Sequence, residues 1–255
     1  MIVRKALVAT VALATSLLFV AGCQKDSTTP SAGPSAAVKP VDELIAAAAK
    51  LNTASYKYDM KAGEAAIKGA VDPATKSVKL SLTATTQGVS LNIDVLAIGT
   101  DFYAKIAGLP LPGLDSSKWL HLDGTKVKSL ESLGVSNLSD PTSAEQLGKQ
   151  FVTVERNGDR GYKGTLDLTK GVSMGADKDA IAKLGDKAKA VPFEATVDSQ
   201  GRLATLKFTV PAVGSDKETT VDVTYSDFGA SVDLAKPAAA DVVEAPASIY
   251  QMLGG

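Results

Sequence analysis

The 255 residues include one cysteine and one histidine, the side chains most apt for nucleophilic or metal chemistry. Cys23 follows Ala21 and Gly22 and closes an uncharged apolar run. A single thiol forms no disulfide within the chain, and a single imidazole builds no multi-histidine metal centre. His121 lies in "KWLHLDG", beside Asp123 on an alternating stretch. A histidine and a carboxylate sketch part of a nucleophilic triad, but no G-x-S-x-G elbow is expected to complete it. H-E-x-x-H, Walker and G-x-G-x-x-G patterns are absent. "DKDA" supplies Asp177 and Asp179 without the remaining ligands or the glycine of an EF-hand loop. Asp94, Glu155 and Glu194 fall on the polar phase of alternating segments, where solvated carboxylates belong. "NLS" at Asn137 is a formal glycosylation sequon. No catalytic residue, cofactor or metal ligand is expected from these groups.

Cys23 has a better use. Arg4 and Lys5 give a basic start, and Ala6 to Ala21 form an apolar stretch without charge. That stretch is short for a membrane-spanning helix and suits a secretory h-region. "VAGC", Val20 to Cys23, matches the bacterial lipobox [LVI]-[ASTVI]-[GAS]-Cys at every position. The match implies that residues 1–22 are a lipoprotein signal peptide and that Cys23, thioether-linked to diacylglycerol, becomes the mature N-terminus. Acyl chains contribute about 0.8 kcal/mol per buried methylene, so two or three of them anchor such a protein to a membrane. The expected location is extracytoplasmic, on the outer face of the cell membrane. The formal net charge of −1, from 27 basic and 28 acidic residues, offers no basic face for nucleic acid.

Gln24 to Pro40 is rich in Ser, Thr, Pro, Ala and Gly and has little to bury. Residues 23–40 therefore read as the lipidated N-terminus and a flexible tether spanning roughly 20–25 Å. From residue 41 to 255 no break in composition divides the chain, and one domain is expected. "VDELIAAAAKLNTA" places Val41, Leu44, Ile45, Ala48 and Leu51 on one helical face, with Asp42 and Glu43 in the first turn. Period-two segments follow: "SYKYDMKA", "AIKGAVD", "SVKLSLTATT", "VSLNIDVLAIG", "DFYAKIAG" and "KWLHLDG". "TKVKSLESLGV" and "DPTSAEQLGKQF" suit short helices, the second capped by Asp140 with Pro141 at its first position. Strands resume at "FVTVERNG" and "RGYKGTLDLTK", a helix is expected around Asp177 to Lys187, and "VPFEATVDSQGRLATLKFTV" reads as a hairpin turning at Ser199–Gly201. "KETTVDVTYSDFG" adds a strand, and "ASIYQM" an anchoring turn in a Pro/Ala-rich tail. About nine or ten strands and three or four helices indicate an α+β domain built on an antiparallel meander with one dry face. That face either closes as a core or leaves room for an apolar ligand.

These phrases, in this order, resemble the LppX/LprG family of actinobacterial lipoproteins, which share a half-barrel with the LolA-type lipid carriers. The resemblance rests on "VAGC", the Ser/Pro-rich tether, "VDELIAAAAKLNTASYKY", "DFYAKIAG…KWLHLD", "FEATVDSQGRLATLKF" and "VTYSDFGASVDLAKP". It implies a single strongly curved antiparallel β-sheet with helices packed on its concave face. It further implies a hydrophobic cavity that binds acylated lipid or glycolipid for carriage across the cell envelope, in exchange with an envelope lipid transporter. Placed on the apolar phases, the candidate lining residues are Leu80, Leu82, Leu91, Ile93, Val95, Phe102, Ile106, Leu206 and Phe208. Register decides their face, because a slip of one residue exchanges the two sides. Gly108–Gly113 and Gly171–Gly175 are candidate hinges for release. A surface-anchored structural or interaction lipoprotein with a filled core is the alternative.

Overall fold

A computed structural model describes residues 38–86, 88–108, 115–126, 143–171, 178–214 and 217–252. Cys23 with its lipobox, most of the tether, Asn137, Asp140, Pro141, Asp177, the "TKVKSLESLGV" helix beyond Lys126, and the candidate hinges beyond Gly108 and Gly171 lie outside them. Residues from Val38 to Gly255 form one compact unit. It contains two apolar clusters, so a chain beginning at Val38 keeps the core described below.

The alternating segments become strands because period-two patterning sends apolar and polar residues to opposite faces of a pleated chain. A first meander runs through β1 (Tyr56–Ala62), β2 (Ala65–Asp72), β3 (Ser77–Thr86), β4 (Val89–Ile98), β5 (Asp101–Ala107) and β6 (Trp119–Asp123). A second runs through β7 (Phe151–Arg156), β8 (Gly161–Leu166), β9 (Val191–Val197), β10 (Leu203–Val210) and β11 (Thr219–Ser226). The two join where β1 pairs antiparallel with β11. A short β12 (Val242–Glu244) completes one sheet, open and curled, in the order β12-β6-β5-β4-β3-β2-β1-β11-β10-β9-β8-β7. The sheet departs from the wholly antiparallel arrangement expected above. β12 lies parallel to β6, with Val243 opposite Leu120, because a long connection brings the tail back along the edge of the sheet. Local chemistry makes the turns: the Asp198 carboxylate accepts from the Gln200 and Arg202 backbone N–H groups at 2.8 and 3.0 Å. Gly201 supplies the positive φ, 68°, that this hairpin requires.

The polar phase is stitched across the strands. Ser81 donates to Asp94, Thr83 to Asn92, and threonine hydroxyls pair at Thr153–Thr165, Thr196–Thr205 and Thr209–Thr220. The apolar phase meets the helices. Helix α1 (Pro40–Ala49) opens with the proline in its first turn, one residue before the expected start, and buries Leu44, Ala47 and Ala48. α2 (Ala144–Gln150) contributes Leu147, and α3 (Lys178–Leu184) Ile181 and Leu184. These side chains share one cluster with Tyr56, Met60, Val71 and Val78 and with inward residues of β8 to β11. The expected strand "FVTVERNG" begins directly after α2, at Phe151. The terminal turn is α4 (Ala247–Met252), whose Ile249 closes a second, smaller cluster of Ala97, Phe102, Ala104, Leu120 and Leu122.

Candidate functional site

The register assigns the face that the sequence left open. Leu80 stands opposite Val95, Leu82 opposite Ile93 and Ala84 opposite Leu91 across β3 and β4. Val95 faces Ala104, Ile93 faces Ile106 and Ala97 faces Phe102 across β4 and β5. In the other direction Leu80 is followed by Gly69, Tyr58 and Tyr225. Leu206 and Phe208 pair with Val223 and Val221, which alternate in phase with Tyr225. Cross-strand partners share a face, so every candidate lining residue lies on one side of the sheet, the side that carries both apolar clusters.

Their surroundings differ. Leu206 and Phe208 are buried at 0% and 3% exposure inside the large cluster beneath the helices. Phe102 is fully buried in the small cluster under α4. These three are packed core, not open wall, because each is buried inside a cluster to which helices contribute. Leu80 and Val95 are buried between the clusters and belong to neither. Leu82, Leu91, Ile93 and Ile106 are only half-buried. With Ile67 they form an apolar row that crosses β2, β3, β4 and β5 in direct register, Ile67–Leu82–Ile93–Ile106, flanked by Leu91.

Two residues that sequence reasoning missed stand next to this row. Tyr58 and Tyr225 are cross-strand partners on the same face. The Tyr58 ring lies across β2 at Gly69, where a Cβ would come within 2.0 Å of its Cε1 and 2.6 Å of its hydroxyl. Only glycine permits that approach, and Leu80, next to the half-buried row, is the cross-strand partner of Gly69 on its other side. Tyr56 sits behind, with ring centroids 6.4 Å from Tyr58 and 5.8 Å from Tyr225. Both Tyr58 and Tyr225 keep open surface, yet burial pushes the Tyr58 hydroxyl up to about 12. Tyr225 is raised too, by burial and then by Tyr58. Neither hydroxyl has a hydrogen-bond partner among the described residues. The available signal was the "YKY" alternation, which puts Tyr56 and Tyr58 on the dry phase; the Tyr225 partnership needs the pairing of the first strand with the eleventh.

The titratable groups are arranged on the other face. His121 is not paired with Asp123, as its sequence neighbourhood suggests. Its Nδ1 meets Glu244 Oε1 at 2.9 Å and its Nε2 meets Asp101 Oδ1 at 3.3 Å. Asp123 instead accepts from Thr125 and pairs with Lys126. Burial disfavours the charged imidazole, but hydrogen bonds to Glu244 and Asp101 outweigh it and raise the pKa above the ordinary histidine value. Lys236 closes the group by pairing with Asp101. The two carboxylates lie on opposite ring nitrogens and so do not converge as metal ligands would. One motif needs correction: "GVSMG", Gly171 to Gly175, does spell G-x-S-x-G. Ser173 lies outside the described residues. Before it β8 ends at Leu166, and Leu168–Lys170 form a 3-10 turn capped by Asp167, whereas an elbow carries its serine at the end of a strand.

No family model and no curated protein matches the chain. In structure it is similar to an uncharacterized conserved protein from Thermus thermophilus, at 9% identity and a TM-score of 0.41 over 80% of this chain and 99% of that one. No helix among the described residues is long and apolar enough to cross a membrane.

Proposed function

We propose that the chain is a lipoprotein, held on the outer face of the cell membrane by lipidated Cys23, that binds acylated lipid or glycolipid and carries it across the envelope. In this reading the curled sheet is a half-barrel with helices on its concave side, and the acyl chains lie against the part of that side the helices leave open. The observation that supports it is the half-buried row of Ile67, Leu82, Ile93 and Ile106, an apolar strip continuous with the core. The open surface of deeply set Tyr58 beside it supports the same reading. At about 0.8 kcal/mol per methylene, a chain of some fourteen buried carbons gains roughly 11 kcal/mol before the cost of association. Affinity of that size needs no charged contact. Phe102, Leu206 and Phe208, packed as core, favour the second reading, a surface-anchored interaction lipoprotein with a filled interior.

The test is extraction. The Val38–Gly255 unit, produced in an actinobacterial host and purified without detergent, is extracted with organic solvent and the extract identified by mass spectrometry. The proposal expects a stoichiometric di- or triacylated lipid. A stably folded protein that carries none and takes up none overturns it.

A further inference from the structure

The apolar strip has two polar groups at its edge, and polar groups at such a place need partners. Tyr58 and Tyr225 are neighbours on β1 and β11, on the same face as the row. Gly69 lets the Tyr58 ring lie over β2, one cross-strand position from Leu80, and the Tyr56 ring packs against both tyrosines at centroid distances of 6.4 and 5.8 Å. Tyr58 and Tyr225 are half-buried and neither hydroxyl is sealed from solvent, so each can exchange a water for a ligand acceptor at little cost. We propose that the Tyr58 and Tyr225 hydroxyls donate hydrogen bonds to neutral carbonyl oxygens of a bound ester, and so anchor the acyl-ester region of an amphiphile beside the half-buried row.

The acceptor is a neutral carbonyl and not a phosphate for an electrostatic reason. Among the described residues no lysine or arginine bonds to or stacks on either phenol; the arginines that meet rings lie over Tyr162 and Phe228. A phosphate there would be a desolvated anion without a counter-charge, whereas an ester oxygen needs only a donor. Both phenols remain protonated at neutral pH, and each has one O–H to give. Two donors on adjacent strands suit the two ester groups of a diacyl compound. The remaining length of each chain then runs along Leu82, Ile93 and Ile106. This assignment rests on the lipid-binding reading and adds the part of the ligand that is recognised.

The test compares two probes on the Val38–Gly255 unit: dipalmitoyl phosphatidylcholine and its dihexadecyl ether analogue, which lacks both ester carbonyls. Binding is followed by native mass spectrometry and by displacement of a fluorescent fatty-acid probe. The wild-type domain is expected to bind the diester more tightly than the diether. Tyr58→Phe and Tyr225→Phe should each weaken diester binding roughly two- to tenfold and leave diether binding unchanged. The double variant should bind the two probes alike. These substitutions delete unpartnered hydroxyls, so the fold survives them, as a thermal melt would verify. Equal binding of both probes by the wild type, or equal losses for both in the variants, overturns the anchor alone. Uptake of neither probe by the wild type overturns the lipid-binding reading and the anchor with it.

Discussion

Replacing Gly69 by alanine tests how the tyrosine is placed. The new methyl would stand 2.0 Å from Tyr58 Cε1 and 2.2 Å from Cζ, well inside van der Waals contact, so the ring must move by more than an ångström. Overpacking of that kind costs about 1–3 kcal/mol. Alanine returns about 0.5–1 kcal/mol, because glycine loses more backbone entropy in a strand. The net loss is up to about 2.5 kcal/mol. For a domain of this size each kcal/mol lowers Tm by about 2–4 °C, which gives a fall of up to about 10 °C. Urea and thermal melts of a double-mutant cycle with Tyr58→Ala supply the assay. Once the ring is gone, Gly69→Ala should be neutral or stabilising by up to about 1 kcal/mol, leaving a coupling of roughly 1–3 kcal/mol between the two positions. Additivity within about 0.5 kcal/mol would refute the placement of Tyr58 over Gly69.

Other consequences are independent of that ring. Ile93→Trp or Leu91→Trp, on the half-buried strip, should reduce lipid loading measured by extraction while Tm stays within a few degrees. Phe208→Ala, in the closed core at 3% exposure, should instead cost about 3–5 kcal/mol in a urea melt; similar losses at both positions would contradict the division between core and open strip. His121 titrates above its ordinary value, held by Glu244 and Asp101. Its contribution is therefore fully present below the unfolded histidine pKa and is lost as pH rises through the folded one. The depressed Asp101 carboxyl, bound by Lys236 and His121, acts only in the acid range. Stability should fall as pH rises from about 6.5, the ordinary histidine value, through the raised folded pKa, and His121→Asn should flatten the profile; an unchanged slope in that variant would remove the imidazole as its source. Ile249→Asp places a charge in the small cluster that holds Phe102 at 0% exposure. It should release α4 and raise amide exchange in β6, and unaltered exchange there would show that α4 does not hold that edge.

Much of the domain was legible as alternation. "SVKLSLTATT" and "VSLNIDVLAIG" each carry a polar and an apolar phase, and those phases became the Ser81–Asp94 and Leu80–Val95 sides of one ladder. Ser199–Gly201 turned a hairpin because aspartate and glycine chemistry is local. β12 was not legible, since three residues in a Pro/Ala-rich tail have no period of their own and pair only because β6 offers an edge. The partners of His121 were equally hidden: Asp101 and Glu244 lie 20 and 123 residues away in sequence, and strand pairing alone brings them to the ring.

By itself the sequence determined which residues share a phase, because side-chain direction in a strand depends only on the parity of position. Ile93 and Phe208 are therefore equivalent as sequence: apolar, on the dry phase, mid-strand. Tertiary structure decided that Phe208 is core and Ile93 half-open, since burial depends on what packs above a residue: Phe208 lies inside the cluster to which α1, α2 and α3 contribute, and Leu82, Ile93 and Ile106 lie outside it. It likewise decided that Tyr58 meets Tyr225, because that contact exists only where the first strand of one meander pairs with the last strand of the other. Parity is a property of the local chain; cover and non-local pairing are properties of the assembled fold.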